Sequence, residues 1–394
     1  MKPVFLPLSW IVLTGWFSFA VGQSPDHATA ETPSKLRIAT YNASLYGKSA
    51  TGIKSRLSDG DDRHAANVAS IVQTVRPDVL LVNELDYDAD QTNAKLLNEK
   101  FFAVAHGDLA AIKYPYVYGV PSNTGVGSGL DLDNNQKSDG PADAWGFGRY
   151  PGQYSMAVFS KYPIDRENIR TFQKFLWKDL PGALRPVDPK TNQPFYDDAT
   201  WDQLRLSSKN HVDVPIQVGD FSLHVLACHP TPPVFDGAED RNGCRNHDEI
   251  KFWSVYLQGT DAPLTDDQGV TGGLGSGASF VIMGDLNSDS VDGDSKRDAI
   301  IDLLAHDRVT DPQPKSAGAV EDAGRKNSSA GQKGDPALDT AGFNGNLRVD
   351  YVLPSRTLPV TDSGVFWPRL DAANYDQIKT SDHRMVWIDV QLPK

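Results

Sequence analysis

The chain has 394 residues and a formal net charge of −13. This length favours one large domain with surface insertions over a string of small domains. An acidic surface repels polyanions, so the charge disfavours tight, sequence-independent binding of nucleic acid unless cations screen it.

The first 22 residues have the pattern of a secretory signal peptide. Lys2 precedes an apolar run over residues 4–21, and residues 20–22 are a small-residue cleavage site. A short uncleaved anchor is the alternative. No later apolar run is long enough to span a bilayer, so we expect a secreted or periplasmic monomer without a membrane span. Cleavage leaves 37 basic and 51 acidic residues, a charge of −14, and a flexible lead-in (residues 23–34) before the domain (residues 35–394).

An alternating strand over residues 35–42 opens the domain and leaves Asn42 at its end. Residues 62–75 place apolar side chains at helical spacing, and a second buried strand at residues 79–82 leads to Glu84. Because a helix between two such strands forms a crossover unit, Asn42 and Glu84 are predicted to emerge at the same edge of a sheet.

Residues 119–152 are rich in Gly, Asp, Asn and Pro, and a loop of this length is usually functional or tied down. Within it, oxygen-bearing groups stand at alternate positions, as in a calcium-binding loop. The predicted ligands of this second, structural Ca²⁺ site are the side chains of Asp131, Asp133, Asn135 and Asp139 and the carbonyl group of Lys137. Gln136 replaces the usual glycine, and Asp143 falls one position beyond the expected terminal acid. An acidic, solvated loop is therefore the alternative.

Alternation and helical spacing predict the remaining elements. The predicted strands cover residues 153–160, 212–218, 221–228, 279–285, 347–353 and 385–391. Helices are predicted over residues 250–257 and after Ser295, which would cap the second one. Residues 311–345 are low in apolar side chains and are predicted to form a long mobile loop. Many strands with few helices indicate an α/β fold in which two mostly antiparallel sheets pack face to face with helices outside.

The chain has only two cysteines, Cys228 and Cys244. In an oxidising compartment they are predicted to form a disulfide that closes a loop of about 15 residues, worth roughly 3 kcal/mol in the chain-entropy model. Two buried free thiols are the alternative. Zinc is disfavoured because neither cysteine stands in a paired Cys/His spacing.

Polar side chains stand at the ends of several predicted strands. Asn42, Glu84 and Asp382 offer hard oxygen ligands without a thiolate, a set that selects Mg²⁺, Mn²⁺ or Ca²⁺ over zinc or copper. His229 and His383 remain for proton transfer or for binding negative charge. Carboxylates, a hard cation and histidines are together the groups that hydrolyse a phosphate ester.

Seven short motifs follow one another from residue 35 to the C-terminus. They are Thr40-Tyr-Asn42, Asn83-Glu84, Ser160-Lys-Tyr-Pro163, His229-Pro230, Gly284-Asp-Leu-Asn287, Arg348-Val-Asp-Tyr351 and Ser381-Asp-His383. With these motifs in this order, the sequence resembles the endonuclease/exonuclease/phosphatase superfamily, which has the DNase I-like fold. The resemblance implies a four-layered α/β sandwich and metal-dependent cleavage of phosphoester bonds. One departure is Asn83, where many members have glutamine.

The resemblance also implies roles for the site residues, with the three oxygen ligands named above holding the catalytic metal. Asp285 would orient or activate the attacking water, and Asn287 would position Asp285 or the phosphate. His229 would bind the developing charge. Asp350 would orient His383, the candidate base. Whether Asp285 or His383 takes the proton stays open.

A compact set of basic residues around His229 is predicted to bind a small phosphorylated substrate, because such groups match phosphate oxygens. They are Lys209, His211, Arg241, Arg245 and His247. The alternative is that they pair with neighbouring acids. The sequence thus predicts a secreted phosphoesterase acting on small esters. A secreted DNase I-like endonuclease is the second candidate, and an exported calcium-binding or adhesion module without enzymatic activity is the candidate of another class.

Overall fold

The computed structural model of the protein describes residues 33–325, 331–343 and 345–393, together with Met1, Pro3 and Val4. The predicted signal peptide and most of the predicted lead-in therefore lie outside the described residues. In the part of the chain that is described, no helix is long and apolar enough to cross a membrane.

The regular elements are numbered in chain order. The strands are β1 (Lys35–Leu45), β2 (Val79–Leu85), β3 (Tyr116–Val120), β4 (Met156–Ser160), β5 (Arg170–Thr171), β6 (Val187–Asp188), β7 (Gln193–Pro194), β8 (His211–Val218), β9 (Phe221–Cys228), β10 (Ser279–Asp285), β11 (Ala341–Phe343), β12 (Gly345–Leu347), β13 (Asp350–Pro354), β14 (Val360–Val365) and β15 (Val386–Gln391). The α-helices are α1 (Gly52–Ser58), α2 (Arg63–Val75), α3 (Thr92–Leu97), α4 (Asp198–Trp201), α5 (Arg241–Tyr256), α6 (Asp298–Ala305) and α7 (Ala317–Arg325).

Two sheets carry the fold. The strand order is β14-β15-β1-β2-β4-β3 in the first sheet and β13-β10-β9-β8-β5 in the second. Neighbouring strands run antiparallel except in the parallel pairs β1–β2 and β9–β10. The prediction of two mostly antiparallel sheets is confirmed.

The two sheets pack face to face through an apolar core. Ile38, Leu81 and Val158 from the first sheet share this core with Val225 and Met283 from the second, and all five are fully buried. Successive residues of a strand point to opposite faces of the sheet, so the side chains between these core residues lie on the outer face of each sheet. Each fully buried aliphatic side chain of this kind contributes about 1.5–3 kcal/mol.

Helices cover the outer face of each sheet. On the first sheet, Leu80 and Val82 of β2 lie in one cluster with the apolar face of α2. On the second sheet, Ile282 of β10 lies in one cluster with Trp253 of α5 and Ile300 of α6. Helix, sheet, sheet and helix make four layers, as predicted.

The predicted crossover unit is β1-α2-β2. The Asp62 side chain caps α2 by accepting a hydrogen bond from the amide of Ala65 at 2.8 Å, a contact worth about 1 kcal/mol. The helix ends at Arg76, which has a left-handed backbone immediately before Pro77. Because β1 and β2 are parallel, Asn42 lies directly beside Asn83 and one residue from Glu84.

Two local predictions differ from the structure, and a third agrees with it. Helix α6 begins at Asp298 rather than after Ser295, whose hydroxyl accepts a hydrogen bond from Ser288. Residues 311–345, predicted to be a mobile loop, contain α7 and the first strand of the β11–β12 hairpin. The many glycines and aspartates of residues 311–345 lower the average hydrophobicity, so the short apolar face of α7 could not be recognised from the sequence. The long loop at residues 119–152 is tied down by two bridges, Thr124 with Gly146 and Gly127 with Ala144.

The predicted disulfide is wrong, because Cys228 and Cys244 are both free thiols. The Cys228 sulfur accepts a hydrogen bond of 3.0 Å from the indole nitrogen of Trp253, which lies on α5 nine residues after Cys244. Nine residues of helix separate Cys244 by about 13 Å along the axis from the residue that Cys228 contacts. Burial raises the pKa of both thiols, that of Cys244 to about 11, so they are present as neutral thiols near neutral pH.

Candidate active site

Three neighbouring strands of the second sheet deliver polar side chains to one edge. His229 follows the end of β9, Asp285 ends β10, and Asp350 begins β13 as the direct cross-strand partner of Asp285. Gly284 is required for this approach. Its φ is +146°, and a β-carbon there would lie 2.0 Å from the carbonyl oxygen of Cys228.

The first sheet delivers the remaining groups to the same place. Asn42 donates a hydrogen bond of 3.1 Å from its side-chain nitrogen to Asp285 Oδ2, so a side chain of β1 reaches across to β10. The hydroxyl of Ser381 donates to the Asn42 carbonyl at 2.8 Å, which places Asp382 and His383 beside it. The edges of both sheets therefore meet at one cluster.

His383 and Asp350 form a buried pair. The Nδ1 atom of His383 lies 2.9 Å from Asp350 Oδ2, which also accepts a hydrogen bond of 2.8 Å from the Thr340 hydroxyl. Burial alone would lower the pKa of His383, but the carboxylates of Asp350 and Asp285 outweigh it and raise the pKa to about 10. The imidazole is therefore held in the protonated form, with Nε2 directed toward Asp285.

Asp285 is the centre of the cluster. Its Oδ2 atom lies 3.4 Å from Nε2 of His229 and 3.5 Å from Nε2 of His383, while Oδ1 accepts a hydrogen bond of 2.9 Å from the amide of Asn287. Burial works against ionisation here, but the charge of His383, the nearby imidazole of His229 and the hydrogen bond from Asn42 hold the pKa of Asp285 well below its usual value. Asp285 is thus a carboxylate at neutral pH.

His229 is a neutral imidazole in this environment. Burial, followed by the positive charge of Lys209, lowers its pKa below the usual value. Its Nδ1 atom is buried and has no hydrogen-bond partner among the described residues. Nearby, Asn287 has a left-handed backbone with φ of +52° and donates from its side-chain nitrogen to the carbonyl of Pro230 at 3.1 Å. Asn287 therefore ties the loop after His229 to the end of β10.

The predicted metal ligands fit a hard cation. Glu84 is partly exposed, and in the part of the chain that is described its carboxylate makes no hydrogen bond or ion pair. The Asp382 side chain is 57% exposed and lies 4.0 Å from Nε2 of His383. Burial and the charges of Glu84 and Asp382 together raise the pKa of Tyr46, so both carboxylates act on one phenol. Free oxygen ligands of this kind suit Mg²⁺, Mn²⁺ or Ca²⁺.

Asp285, Asp350 and His383 form a separate compact group whose potential ligand atoms lie within 4.8 Å of one another. Two of these atoms, Asp350 Oδ2 and His383 Nδ1, are already hydrogen bonded to each other. Glu84 is therefore the candidate metal ligand whose side chain is least engaged, whereas Asn42 Oδ1 accepts a hydrogen bond of 3.2 Å from the amide of Ser44. The compact group is the candidate for the chemistry of the reaction.

Two of the predicted substrate-binding residues form hydrogen bonds inside the protein instead. The ring of His211 is buried, with Nε2 2.7 Å from the carbonyl of Glu249. The guanidinium of Arg245 donates to the carbonyls of Leu206 at 2.8 Å and Trp145 at 2.5 Å. Both side chains are engaged within the protein, so their predicted contact with substrate is corrected.

The other three predicted substrate-binding residues also have internal partners. Arg241 pairs with Glu239, and His247 Nδ1 lies 2.8 Å from Asp248. These are the pairs that the alternative expected. Lys209 is buried, its ammonium lies 3.4 Å from the carbonyl of Pro230, and its charge acts on His229. Of the five basic residues, Lys209 is thus the one that influences the cluster.

Among the described residues, the convergent carboxylates of the predicted calcium loop include Asp143 in place of the predicted Asp139. Carboxylate oxygens of Asp131, Asp133 and Asp143 lie within 4.8 Å of one another. Gln136 has a φ of +68°, the left-handed conformation for which the usual glycine is suited. The side-chain oxygen atoms at alternate positions of the loop accept hydrogen bonds from backbone amides. For example, Asp131 Oδ1 accepts one from the amide of Asn135 at 3.0 Å.

Two residues near the site have no motif that would identify them. Thr340 orients Asp350 and lies in the stretch predicted to be a mobile loop. Asp86 is buried and accepts hydrogen bonds from the amides of Gly47 and Tyr154 and from the hydroxyl of Tyr150. The available signal for Asp86 is a charged residue two positions after Glu84 at the end of an apolar strand.

Comparisons with known proteins agree with this architecture. The model of the "Endonuclease/Exonuclease/phosphatase family" matches residues 39–383. A search of curated proteins found no match. The chain is similar to an endonuclease/exonuclease/phosphatase from Beutenbergia cavernae DSM 12333 (18% identity, 91% of this chain, 72% of the other, TM-score 0.48). It is also similar to an endonuclease/exonuclease/phosphatase family protein from Leptotrichia buccalis C-1013-b (15% identity, 91% and 100%, TM-score 0.47). A further similar structure is sphingomyelinase C from Streptomyces griseocarneus (16% identity, 90% and 99%, TM-score 0.45).

The chain belongs to the endonuclease/exonuclease/phosphatase family, because the family model spans most of its length and all seven motifs fall within or at the ends of the matched range. Members of this family are typically metal-dependent hydrolases of phosphoesters. The cluster described above is therefore the candidate active site of this chain.

Proposed function

We propose that the protein is an exported, divalent-metal-dependent hydrolase of small phosphate esters. The observation that carries the proposal is the buried His383–Asp350 pair, whose free Nε2 faces the ionised Asp285 beside His229. Histidines and a carboxylate converging on one atom are suited to holding a phosphoryl group and its attacking water.

The cluster divides the work among its residues. A cation held by Glu84 with Asn42 and Asp382 would stabilise negative charge on the phosphoryl oxygens. The Nε2 atoms of His229 and His383 lie farther from Asp285 than the usual hydrogen-bond range of about 2.7–3.2 Å, so both are free to turn toward a substrate oxygen.

Asp285 is the residue we assign to the water. Its Oδ1 atom is fixed by the amide of Asn287, and Oδ2 faces the space between the two histidines. Asp285 would orient the water in line with the leaving group and accept its proton as the water oxygen bonds to phosphorus, while the bond from phosphorus to the ester oxygen breaks and the leaving group departs as an alkoxide or phenolate. His383 is already protonated and therefore serves as a donor to the phosphoryl group rather than as the base.

The preference for small esters rests on charge. The chain carries a net charge of −13, and all five basic residues near the hairpin are engaged by acids or carbonyls. A polyanion has little to bind on such a surface. A secreted DNase I-like nuclease is the second candidate, and degradation of plasmid DNA at much lower enzyme concentration than ester hydrolysis would favour it.

Chelation tests the activity. We expect the purified protein to hydrolyse a chromogenic phosphate ester, to lose this activity in EDTA and to regain it with Mg²⁺ or Mn²⁺. His383→Ala should abolish hydrolysis. His306→Ala, near the opposite end of the second sheet, is the matched control and should retain it. Activity that persists in EDTA would exclude the metal, full activity in His383→Ala would remove His383 from the reaction, and a wild-type protein that hydrolyses no ester with Mg²⁺ or Mn²⁺ present would favour a binding module.

We also propose that the loop at residues 131–143 binds a structural Ca²⁺ ion. Support comes from the three convergent carboxylates of Asp131, Asp133 and Asp143. Calcium should raise the melting temperature of the wild-type protein by a few degrees, since a bound ligand stabilises the folded state. The shift should disappear in Asp143→Asn. An equal calcium shift in both proteins would show that the ion binds elsewhere.

Export remains a proposal from the sequence. The apolar run and small-residue cleavage site of the first 22 residues support it. Amino-terminal sequencing of the protein from the extracellular or periplasmic fraction should begin at Gln23. A protein found only in the cytosol with residues 1–22 intact would refute it.

A further inference from the structure

Two tyrosines form an aromatic pair at the rim of the candidate active site. The ring centroids of Tyr46 and Tyr154 are 4.6 Å apart, and the rings meet edge to face at 61°. Tyr46 is 38% exposed, and Tyr154 is partly exposed. Neither hydroxyl has a hydrogen-bond partner among the described residues. The pair thus presents aromatic surface to solvent where the fold does not need it for packing.

Strand register places this pair directly beside Glu84. Strand β2 lies between β1 and β4 in the first sheet, and Asn83 is the direct partner of both Asn42 and Met156. Tyr46 follows the end of β1, and Tyr154 precedes the start of β4, so the rings meet across the end of β2. Burial and the charge of Glu84 contribute to the raised pKa of both phenols, consistent with this placement.

Buried contacts hold the pair in position. The Asp86 carboxylate accepts hydrogen bonds from the amide of Gly47 at 2.8 Å, next to Tyr46, and from the amide of Tyr154 at 3.1 Å. Tyr154 has a φ of +57°, a conformation that is unfavourable for a residue with a large side chain. Strain of this kind persists where the surroundings enforce it, commonly at binding sites.

A positively charged side chain, that of Arg149, lies on the same rim. Arg149 is exposed, and its side chain makes no hydrogen bond or ion pair in the described parts of the chain. Its positive charge acts on the phenol of Tyr154. The rim therefore combines an aromatic surface with an unengaged guanidinium, next to the residues assigned to the metal.

We propose that Tyr46 and Tyr154 form a stacking subsite for a planar aromatic group of the substrate, so that the preferred small ester is one that carries a ring such as a nucleobase. This inference rests on the proposed function. An exposed ring face attracts any planar π system, and base–aromatic stacking changes affinity by roughly 5- to 100-fold per contact. Arg149 adds attraction for a second negative charge on the same substrate.

Two diesters with one leaving group isolate the subsite. Thymidine 5′-(p-nitrophenyl phosphate) and methyl p-nitrophenyl phosphate release the same phenolate, so leaving-group reactivity is equal and the p-nitrophenyl ring is common to both. The two esters differ only in the group that stays on phosphorus, which is thymidine or methyl. We expect the metal-loaded wild-type enzyme to prefer the thymidine ester by about 10-fold in kcat/KM, mostly through KM. Tyr46→Ala should reduce this preference at least about fivefold, whereas Tyr46→Phe should keep it.

Tyr116 provides a matched control. It has the same 38% exposure and lies on β3 at the opposite end of the same sheet, so Tyr116→Ala should leave the preference unchanged. If Tyr46→Ala proves unstable, Tyr46→Leu keeps apolar bulk without an aromatic face and should lose the preference in the same way. A wild-type preference below twofold, or one that Tyr46→Ala and Tyr46→Leu both retain, would overturn the proposal.

Calorimetry separates this inference from the proposed function. Thymidine 5′-monophosphate should bind the wild-type protein about 10-fold more tightly than methyl phosphate, and Tyr46→Ala should remove that difference. If neither ester is cleaved while this difference in binding holds, the proposed function fails and the subsite stands. If both esters are cleaved and the two phosphates bind equally, the subsite fails and the hydrolase stands.

Discussion

The charge of Asp350 is expected to set the protonation of His383. Asp350 Oδ2 accepts hydrogen bonds from His383 Nδ1 at 2.9 Å and from the Thr340 hydroxyl at 2.8 Å, whereas Oδ1 is buried and has no partner among the described residues. In Asp350→Asn the amide oxygen can take the place of Oδ2 and keep both hydrogen bonds. The substitution therefore removes the negative charge and leaves the geometry in place.

The loss can be sized from this contact. A hydrogen bond to a charged group contributes about 1.5–3 kcal/mol and a neutral one about 0.5–1.5 kcal/mol, so loss of the charge costs about 1–1.5 kcal/mol and kcat/KM for a chromogenic ester should fall about 5- to 12-fold. The pKa of His383, about 10 in the wild type, should fall because one of the two carboxylates that raise it is gone. Histidine resonances in NMR spectra of the metal-free protein report that pKa directly.

The same pair should make stability depend on pH. The folded pKa of His383 lies above its unfolded value of about 6.5, so its contribution is complete below about pH 6.5 and is lost as pH rises toward 10. Urea unfolding at both ends of this window should show a smaller difference in Asp350→Asn than in the wild type.

Asp220→Asn, in the exposed turn between β8 and β9, is the matched control and should behave like the wild type. The reasoning is refuted if Asp350→Asn keeps kcat/KM within about threefold of the wild type and leaves the titration of His383 unchanged.

Three other changes test separate features of the structure. Glu84→Gln should weaken Mg²⁺ or Mn²⁺ binding by at least about 10-fold in calorimetry, and unchanged affinity would remove Glu84 from the metal site. A thiol reagent should find Cys228 and Cys244 free once the protein is unfolded without reductant, whereas a disulfide in the exported protein would contradict the structure. Gly284→Ala should cost more than about 4 kcal/mol in urea unfolding because its β-carbon meets a backbone carbonyl, whereas Gly277→Ala, which meets nothing within 4 Å, should be nearly neutral.

The spacing of apolar residues along the sequence predicted the central layers of the fold correctly. The β1-α2-β2 crossover was visible because apolar residues change from alternation to helical spacing and back within 50 residues, a change that few other structures produce. The β8–β9 hairpin was visible for a similar reason, with alternating strands on either side of Gly219 and Asp220. Where the apolar spacing was clear, the polar side chains at the ends of these strands could be placed at one edge of their sheet.

The pattern failed where packing replaced periodicity. Strand β14 lies at the edge of the first sheet and has only two buried residues, so its sequence carries little alternation. Helix α7 is composed largely of alanine, glycine and charged residues, and its burial depends on neighbours distant in sequence. The basic residues near the hairpin were misassigned because charge alone does not tell whether a guanidinium faces substrate or, as in Arg245, carbonyls of its own chain.

Backbone conformation explains why the site could be located from sequence but not built from it. Ser44, Glu84, Tyr154 and Asn287 all have left-handed backbones, with φ between +49° and +59°. Each such residue costs roughly 1–3 kcal/mol and breaks the alternation on which side-chain direction is predicted. Buried hydrogen bonds, notably those of Asp86, hold these backbone conformations in the protein without substrate. The free energy of folding therefore offsets the cost of the strain, and substrate binding does not have to.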